Sequence, residues 1–264
     1  MRKADFERSE GRTERLPEPL LLEVIRLLTA AVVLFALLMA GRVFAAESRE
    51  AERALMVQTV ASHAAALPQA LGGKPLDPKV LAAMGAVPRH EFVPPEQQAH
   101  AYEDRPLPIG YGQTISQPFI VALMTDLLAV RPTGRVLEVG TGSGYQAALL
   151  ARLADAVYTI EIIPELGQSA AQRLADEPKV AVRIGDGYYG WPEAAPFDGI
   201  LVTAAAGHVP PPLLQQLKTG GRMVIPVGGR FAVQQLMLVE KDPQGRVTTR
   251  QLLPVSFVPL TGGH

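Results

Sequence analysis

Hydrophobic positions change period three times along the chain, and each change marks an element. Residues 1–19 alternate Arg and Glu with no apolar period, so the polar start, taken as residues 1–26, is expected to be disordered. Residues 27–41 then read LLTAAVVLFALLMAG, uncharged and apolar on every face, between Arg26 and Arg42. That run is short for a span of about 20 residues but fits the apolar region of a secretory signal, with Val43 and Ala45 as a small-residue cleavage pattern. Residues 27–46 are therefore expected to be a signal or membrane anchor, with an ordinary buried helix as the plainer alternative. Arginines at 12, 15 and 26 balance those at 42, 49 and 53, so charge assigns no orientation.

Residues 47–67 carry a helical pattern, and the Gly and Pro of LPQALGGKPLDP end it. Asp77 before Pro78 predicts a capped helix start, with the helix finishing near Gly85. Residues 87–112 are crowded with Pro and Gly, too irregular for a core element and too long for a plain connector, which marks a functional loop. A helix over residues 118–129 follows. After it come the apolar runs RVLEV, VYTIE, VAVRI, DGILVT and RMVIPV, mostly separated by helical stretches. Strands alternating with helices predict a parallel sheet covered on both faces. The last two runs, VQQLMLVEK and RVTTRQLLPV, flank the turn-like DPQG and predict an antiparallel hairpin at one edge. One domain over 47–264 results, with a helical and loop region (47–130) that faces substrate and a sheet (131–264) that binds a cofactor.

Composition narrows the chemistry. A net charge of −1 across 264 residues supplies no field for nucleic acid, which is not expected as a partner. The absence of cysteine rules out disulfides, thiolate metal sites and a cysteine nucleophile, and no metal is expected.

The strongest local signal is LEVGTGSGYQAALLA, residues 137–151, where a buried strand passes through a glycine turn into a helix. Gly140, Gly142 and Gly144 are spaced G-x-G-x-G, and Tyr145 stands where a dinucleotide fingerprint needs its third glycine. Glu138, just before the turn, would repel a pyrophosphate and favour an ammonium group. A zwitterionic amino-acid tail suits that charge. Glu161 ends the next strand at the spacing expected for a carboxylate that holds ribose hydroxyls. Gly185-Asp186-Gly187 follows the third strand, where Asp186 could accept from an adenine amino group. A bare tight turn, a solvated strand end and a turn-forming Asp-Gly are the plain alternatives at these three places; their order along the chain favours a ligand.

At this point the residues resemble the protein-L-isoaspartate O-methyltransferase family over about residues 87–260. VPRHEFVPP, LPIGYGQTISQPFIVALMTDLL, the glycine turn, GDGYYGWPEAAPFDGILVTAAAGHVPPPLLQQLKTGGRMVIPVG and the terminal FVPL carry the likeness. The resemblance implies a doubly wound, Rossmann-like, S-adenosylmethionine-dependent methyltransferase fold. It implies Ser116 as the active-site hydroxyl, with Thr114, Ile115, Thr203, Ala204 and Ala205 on the substrate side. Glu138, Gly140, Thr141, Gly142, Ser143, Gly144, Glu161, Ile162, Gly185, Asp186 and Gly187 would surround S-adenosyl-L-methionine. The expected acceptor is the free α-carboxylate of L-isoaspartyl residues in damaged proteins and peptides, whose ester would close to a succinimide.

That carboxylate is ionised at neutral pH and needs no general base, so Ser116 is expected to position it by hydrogen bonding. A helix N-cap is the alternative for Ser116, since Pro118 follows. The substrate groove is expected between residues 89–95 and the strand end after Val202. His90 and His100 read as loop or surface residues and Trp191 as packing. A different small-molecule acceptor, or a non-catalytic binding homologue, are the competing functions. The enzyme is expected to be a monomer in the cytoplasm, where the donor is made, with anchoring or export through residues 27–46 as the alternative.

Overall fold

The two apolar periods of the sequence become one long helix and one open sheet. The computed structural model describes residues 18–67, 74–229 and 233–263. It divides into two units, residues 1–50 and 51–264. Helix α1 (Glu18–Ala66) runs through 49 residues. No proline interrupts it after Pro19, so the apolar run and the helical pattern that follows form one element. Residues 18–26, expected to be disordered, lie in this helix, and 1–17 lie outside the described residues.

In the first unit Leu27, Leu28, Val32, Val33, Leu34 and Phe35 are exposed. Among the described residues no helix is long and apolar enough to cross a membrane, so the expected anchor at 27–46 is not supported. The cleavage pattern at Val43 and Ala45 falls on side chains outside the described set.

In the second unit α1 turns Met56, Val60 and Ala64 into the core, four residues apart on one face. Helix α2 (Pro78–Ala86) starts as expected, Asp77 accepting the amide of Lys79 at 2.8 Å. Residues 87–112 are more ordered than their composition predicts. They hold short 3₁₀ turns at Arg89–Phe92 and Pro95–His100, then strand β1 (Leu107–Gly110), which pairs antiparallel with β2 (Gln113–Ile115). The hairpin closes on Gly110, Tyr111 and Gly112, all at positive φ, a geometry that hides a three- or four-residue strand from any periodicity.

Helix α3 (Pro118–Leu128) leads into β3 (Arg135–Val139), α4 (Tyr145–Ala151), β4 (Ala156–Glu161), α5 (Pro164–Arg173), β5 (Val180–Ile184), β6 (Phe197–Val202), α6 (Pro211–Gln216) and β7 (Leu217–Val227). The hairpin β8 (Gln234–Lys241) and β9 (Val247–Val255) completes the sheet. Strand order is β5-β4-β3-β6-β7-β8-β9, parallel through β7 and antiparallel at the last two. This is the expected doubly wound sheet with an antiparallel edge. Order reverses at β3, whose neighbours are β4 and β6. A crevice opens at the carboxyl ends of such strands, which is where an α/β sheet binds ligands. Val136, Leu137 and Val139 are buried because helices cover both faces there.

Candidate active site

Backbone rules build one wall of the crevice. After Val139 the chain turns through Gly140 (φ 97°), Gly142 (φ 53°) and Gly144 (φ 92°), conformations that L side chains resist. At Gly140 a Cβ would also stand 2.4 Å from Thr203 Oγ1, and at Gly187 2.4 Å from Val139 Cγ1. Gly140 is therefore required by space as well as by the turn, and Gly187 by space alone. Glu161 ties two strand ends together: its Oε2 accepts the amide of Gly142 at 2.7 Å and its Oε1 that of Ile163 at 3.0 Å.

Glu138 is fully buried at the tip of β3. Its Oε2 accepts from Thr159 Oγ1 at 2.7 Å, and Thr159 Oγ1 lies 2.6 Å from Thr141 Oγ1. Its Oε1 has no hydrogen-bond partner among the described residues, while the residue lines the crevice. Burial raises this carboxyl to about 8, the nearby Glu161 charge adds to the rise, and the Thr159 hydrogen bond opposes it. An acceptor of this kind is completed by an ammonium group, the fit expected for an amino-acid tail.

The opposite wall comes from the residues before α3. Thr114, Ile115 and Ser116 line the same cavity as Glu138, Gly140, Thr141, Gly142, Ser143, Glu161, Ile162, Gly187, Thr203 and Ala204. A second groove adjoins it, and Thr114, Ser116, Thr203 and Val258 line both. Ser116 thus stands where an inner chamber meets an outer groove. The capping alternative for Ser116 is not taken, because the first free amide of α3, that of Phe119, donates to Asp104 Oδ1 at 2.8 Å. Among the described residues no group of three or more His, Asp or Glu is arranged for a metal ion.

The sheet, the glycine turn and this two-chambered crevice were compared with known proteins. A model of the family described as Protein-L-isoaspartate(D-aspartate) O-methyltransferase matches residues 69–264, well over half of the chain. The chain belongs to the protein-L-isoaspartate O-methyltransferase family. It is 62% identical over 236 residues to protein-L-isoaspartate O-methyltransferase 2 of Syntrophobacter fumaroxidans, covering 88% of this chain and 96% of that one. With a Polaromonas protein of the same name it shares 69% identity over 193 residues, 72% of this chain and 92% of the relative. Among solved structures it is similar to a Plasmodium falciparum protein described as a protein-L-isoaspartate O-methyltransferase in complex with S-adenosyl-L-homocysteine. That match has TM-score 0.62 and 25% identity, over 70% of this chain and 91% of that chain. Another protein-L-isoaspartate O-methyltransferase structure aligns at TM-score 0.69 and 27% identity, over 80% of this chain and 66% of that chain.

Four residues expected at the site of this methyltransferase stand back from the cavity wall: Gly144, Gly185, Asp186 and Ala205. Asp186 caps the 3₁₀ turn Gly187–Tyr189, accepting the amide of Tyr188 at 3.0 Å, and also accepts that of Gly263 at 3.1 Å. Ala205 acts through its backbone, donating to Val258 O and accepting from Leu260 N, both at 2.8 Å. That pairing lays residues 258–261 along the cavity, a wall that sequence reasoning missed. Its only trace in the sequence was the terminal FVPL. Tyr145 and Gln146, which also line the cavity, were hidden because they begin a helix that reads as core.

The expected groove at residues 89–95 is corrected. Arg89 is wholly buried and Phe92 and Val93 are buried with it, so the outer groove runs instead past Pro106, Gln117, Ile120 and residues 254–258. Trp191 packs edge-on against Tyr158 at 5.3 Å under the Arg183 guanidinium, as a packing residue does.

Proposed function

We propose that the protein methylates the free α-carboxylate of L-isoaspartyl residues in damaged proteins and peptides, with S-adenosyl-L-methionine as donor, and so starts their repair through a succinimide. The observation that carries this reading is the meeting of the two chambers at Ser116. An inner chamber with an orphaned buried carboxyl suits the donor, and an outer groove suits a peptide. When bound, the donor supplies a methyl group on a sulfonium centre.

The residues of this chain then hold and align. Glu138 Oε1 would take the ammonium of the amino-acid tail, and Glu161, at the tip of β4, the ribose hydroxyls. Gly140, Thr141, Gly142, Ser143, Gly144 and Ile162 would keep the backbone close to the ligand. Gly187 would meet the base, with Gly185 and Asp186 behind it holding the turn. Ser116 would donate a hydrogen bond to the acceptor carboxylate from the junction, with Thr114, Ile115, Thr203, Ala204 and Ala205 shaping the space beside it. No proton has to be removed from an ionised carboxylate, so alignment and exclusion of water provide the acceleration. The ester then leaves, and its closure to a succinimide is intramolecular chemistry that needs no group on the enzyme.

We infer a methyltransferase domain spanning 47–264, most of it in the compact unit 51–264, that works as a monomer; its placement on the cytoplasmic side is supported by where the donor is made. The exposed apolar residues between Leu27 and Phe35 support contact of the first unit with an apolar surface such as a bilayer face. Reporters active on one side of a membrane, fused after residue 60 and at the C-terminus, would test that placement.

Incubation with labelled donor and a peptide carrying either isoaspartate or aspartate tests the activity itself. Base-labile label is expected on the isoaspartyl peptide alone. Equal labelling of both, or of neither by folded protein, would overturn the reading.

A further inference from the structure

Arg89 is a wholly buried cation that makes no ion pair within 4 Å among the described residues, and the Asp104 carboxylate acts on it only at longer range. Its Nε donates to the carbonyl of Ala101 at 2.9 Å and its Nη2 to the carbonyl of Ser116 at 2.7 Å. Its guanidinium carbon sits 4.9 Å over the centre of the Tyr145 ring, at the start of α4 and beside the cavity. Arg89 Nη1 and Tyr145 Oη are buried without a hydrogen bond of full geometry among the described residues, and the guanidinium and the phenol act on each other. Burial lowers the guanidinium to about 10, which leaves it cationic at neutral pH. Removing such a charge from water is costly, and an apolar side chain of similar volume would fill the space at least as favourably. Stability alone therefore gives a poor account of an arginine here.

Its fork geometry gives a better one. One planar group reaches the 87–105 loop, the backbone of Ser116 and the first residue of α4, which a lysine could not do at once. Asp104, from the same loop, holds the other side of the turn through Phe119 N at 2.8 Å and Gln117 Nε2 at 3.1 Å. Ser116 is pinned between them. We propose that Arg89 is a positioning residue for methyl transfer, which fixes the Ser116 hydroxyl by holding the carbonyl of that residue. The proposal rests on the reading of Ser116 as the group that orients the acceptor carboxylate.

The test is a cycle of Arg89→Met, Arg89→Lys and Ser116→Ala in the full chain, read by kcat on an isoaspartyl peptide and by calorimetric affinity for S-adenosyl-L-homocysteine. Arg89→Met is expected to lower kcat about tenfold or more, with Arg89→Lys intermediate and ligand affinity changed less than about twofold. In the Ser116→Ala background the same changes should lower the remaining rate less than about twofold, because residues acting as one unit are not additive. An equal loss in both backgrounds, an equal loss of ligand affinity, or an unchanged kcat would overturn the proposal. If Arg89→Met fails to fold, Arg89→Lys decides by the same criteria. A Ser116→Ala enzyme with full kcat would overturn the serine reading by itself, whatever the Arg89 variants do.

Discussion

The two walls of the crevice are built by different physics. The wall proposed for the donor is backbone: glycines at positive φ, strand tips in parallel register, and a carboxylate that ties Gly142 to Ile163. The wall proposed for the acceptor is side chains reaching across the chain: Arg89 to Ser116, Asp104 to Phe119, and Gln234 to Phe257. The first kind of wall tolerates almost no added atom. The second tolerates change at the cost of alignment, so substitutions on the two walls should separate ligand affinity from turnover.

Gly140→Ala is expected to have the largest effect. Both a positive φ of 97° and a Cβ 2.4 Å from Thr203 Oγ1 oppose it. Strain of about 2–3 kcal/mol at such a position corresponds to roughly 30- to 150-fold weaker binding of S-adenosyl-L-homocysteine if the turn shifts to relieve it. Calorimetry checks this, and binding within twofold of the parent would show that the turn is not the donor wall. Ser116→Ala should give the opposite pattern. A hydrogen bond to a charged acceptor contributes about 1.5–3 kcal/mol, so kcat should fall roughly 10- to 150-fold. Single-turnover rates beside equilibrium binding distinguish the two, with affinity for the homocysteine product held within about twofold.

This division also explains what could be read from the residues alone. The strands of the parallel sheet, the antiparallel edge, the cap at Asp77 and the glycine turn follow from short-range rules, each needing a few adjacent positions, whereas the strand order does not. Continuity of α1 was missed because a change from apolar to amphipathic pattern is not a break in the backbone. The β1–β2 hairpin was missed because three- and four-residue strands rich in Gly and Pro carry no period. Arg89 was placed on a groove because a lone arginine in a Pro-rich loop reads as exposed. Only the fold shows that it is 0% exposed and bonded to residues 12 and 27 positions away. Residues 258–261 owe their place to the backbone of Ala205, a contact between segments far apart in sequence.

Glu138 sharpens the comparison through pH. Its buried carboxyl titrates near 8 instead of 4.5, so the folded protein keeps a proton that the unfolded chain has released. Its contribution to stability is complete below pH 4.5 and is lost as pH rises through about 8. An ammonium ligand needs the ionised form, so affinity for S-adenosyl-L-homocysteine should rise roughly 25-fold between pH 6.5 and 8.5, with proton release on binding. Glu138→Gln should bind more weakly and lose most of that slope. Calorimetry in buffers of different ionisation enthalpy reads both, and a parent slope unchanged by the substitution would remove Glu138 from the donor wall.

The smallest expected effect lies at the far end of the acceptor wall, in Gln234. Its carboxamide acts as one residue of a strand partner, Oε1 accepting the amide of Phe257 at 2.6 Å and Nε2 donating to its carbonyl at 2.9 Å. Phe257 lies between β9 and residues 258–261, so this pair holds the place where the outer groove turns into the inner cavity. Gln234→Ala would leave both backbone groups of Phe257 to water, because the site is only partly buried. A loss of about 1 kcal/mol in stability should follow. Loosening of that wall should raise the KM for an isoaspartyl peptide by about threefold while kcat falls little, since uniform binding and not alignment is lost. Gln234→Glu keeps the acceptor and loses the donor, so it should fall between the two. If kcat falls as far as in Ser116→Ala, the groove wall and the aligning group are one unit, and the separation of the two walls is narrower than drawn.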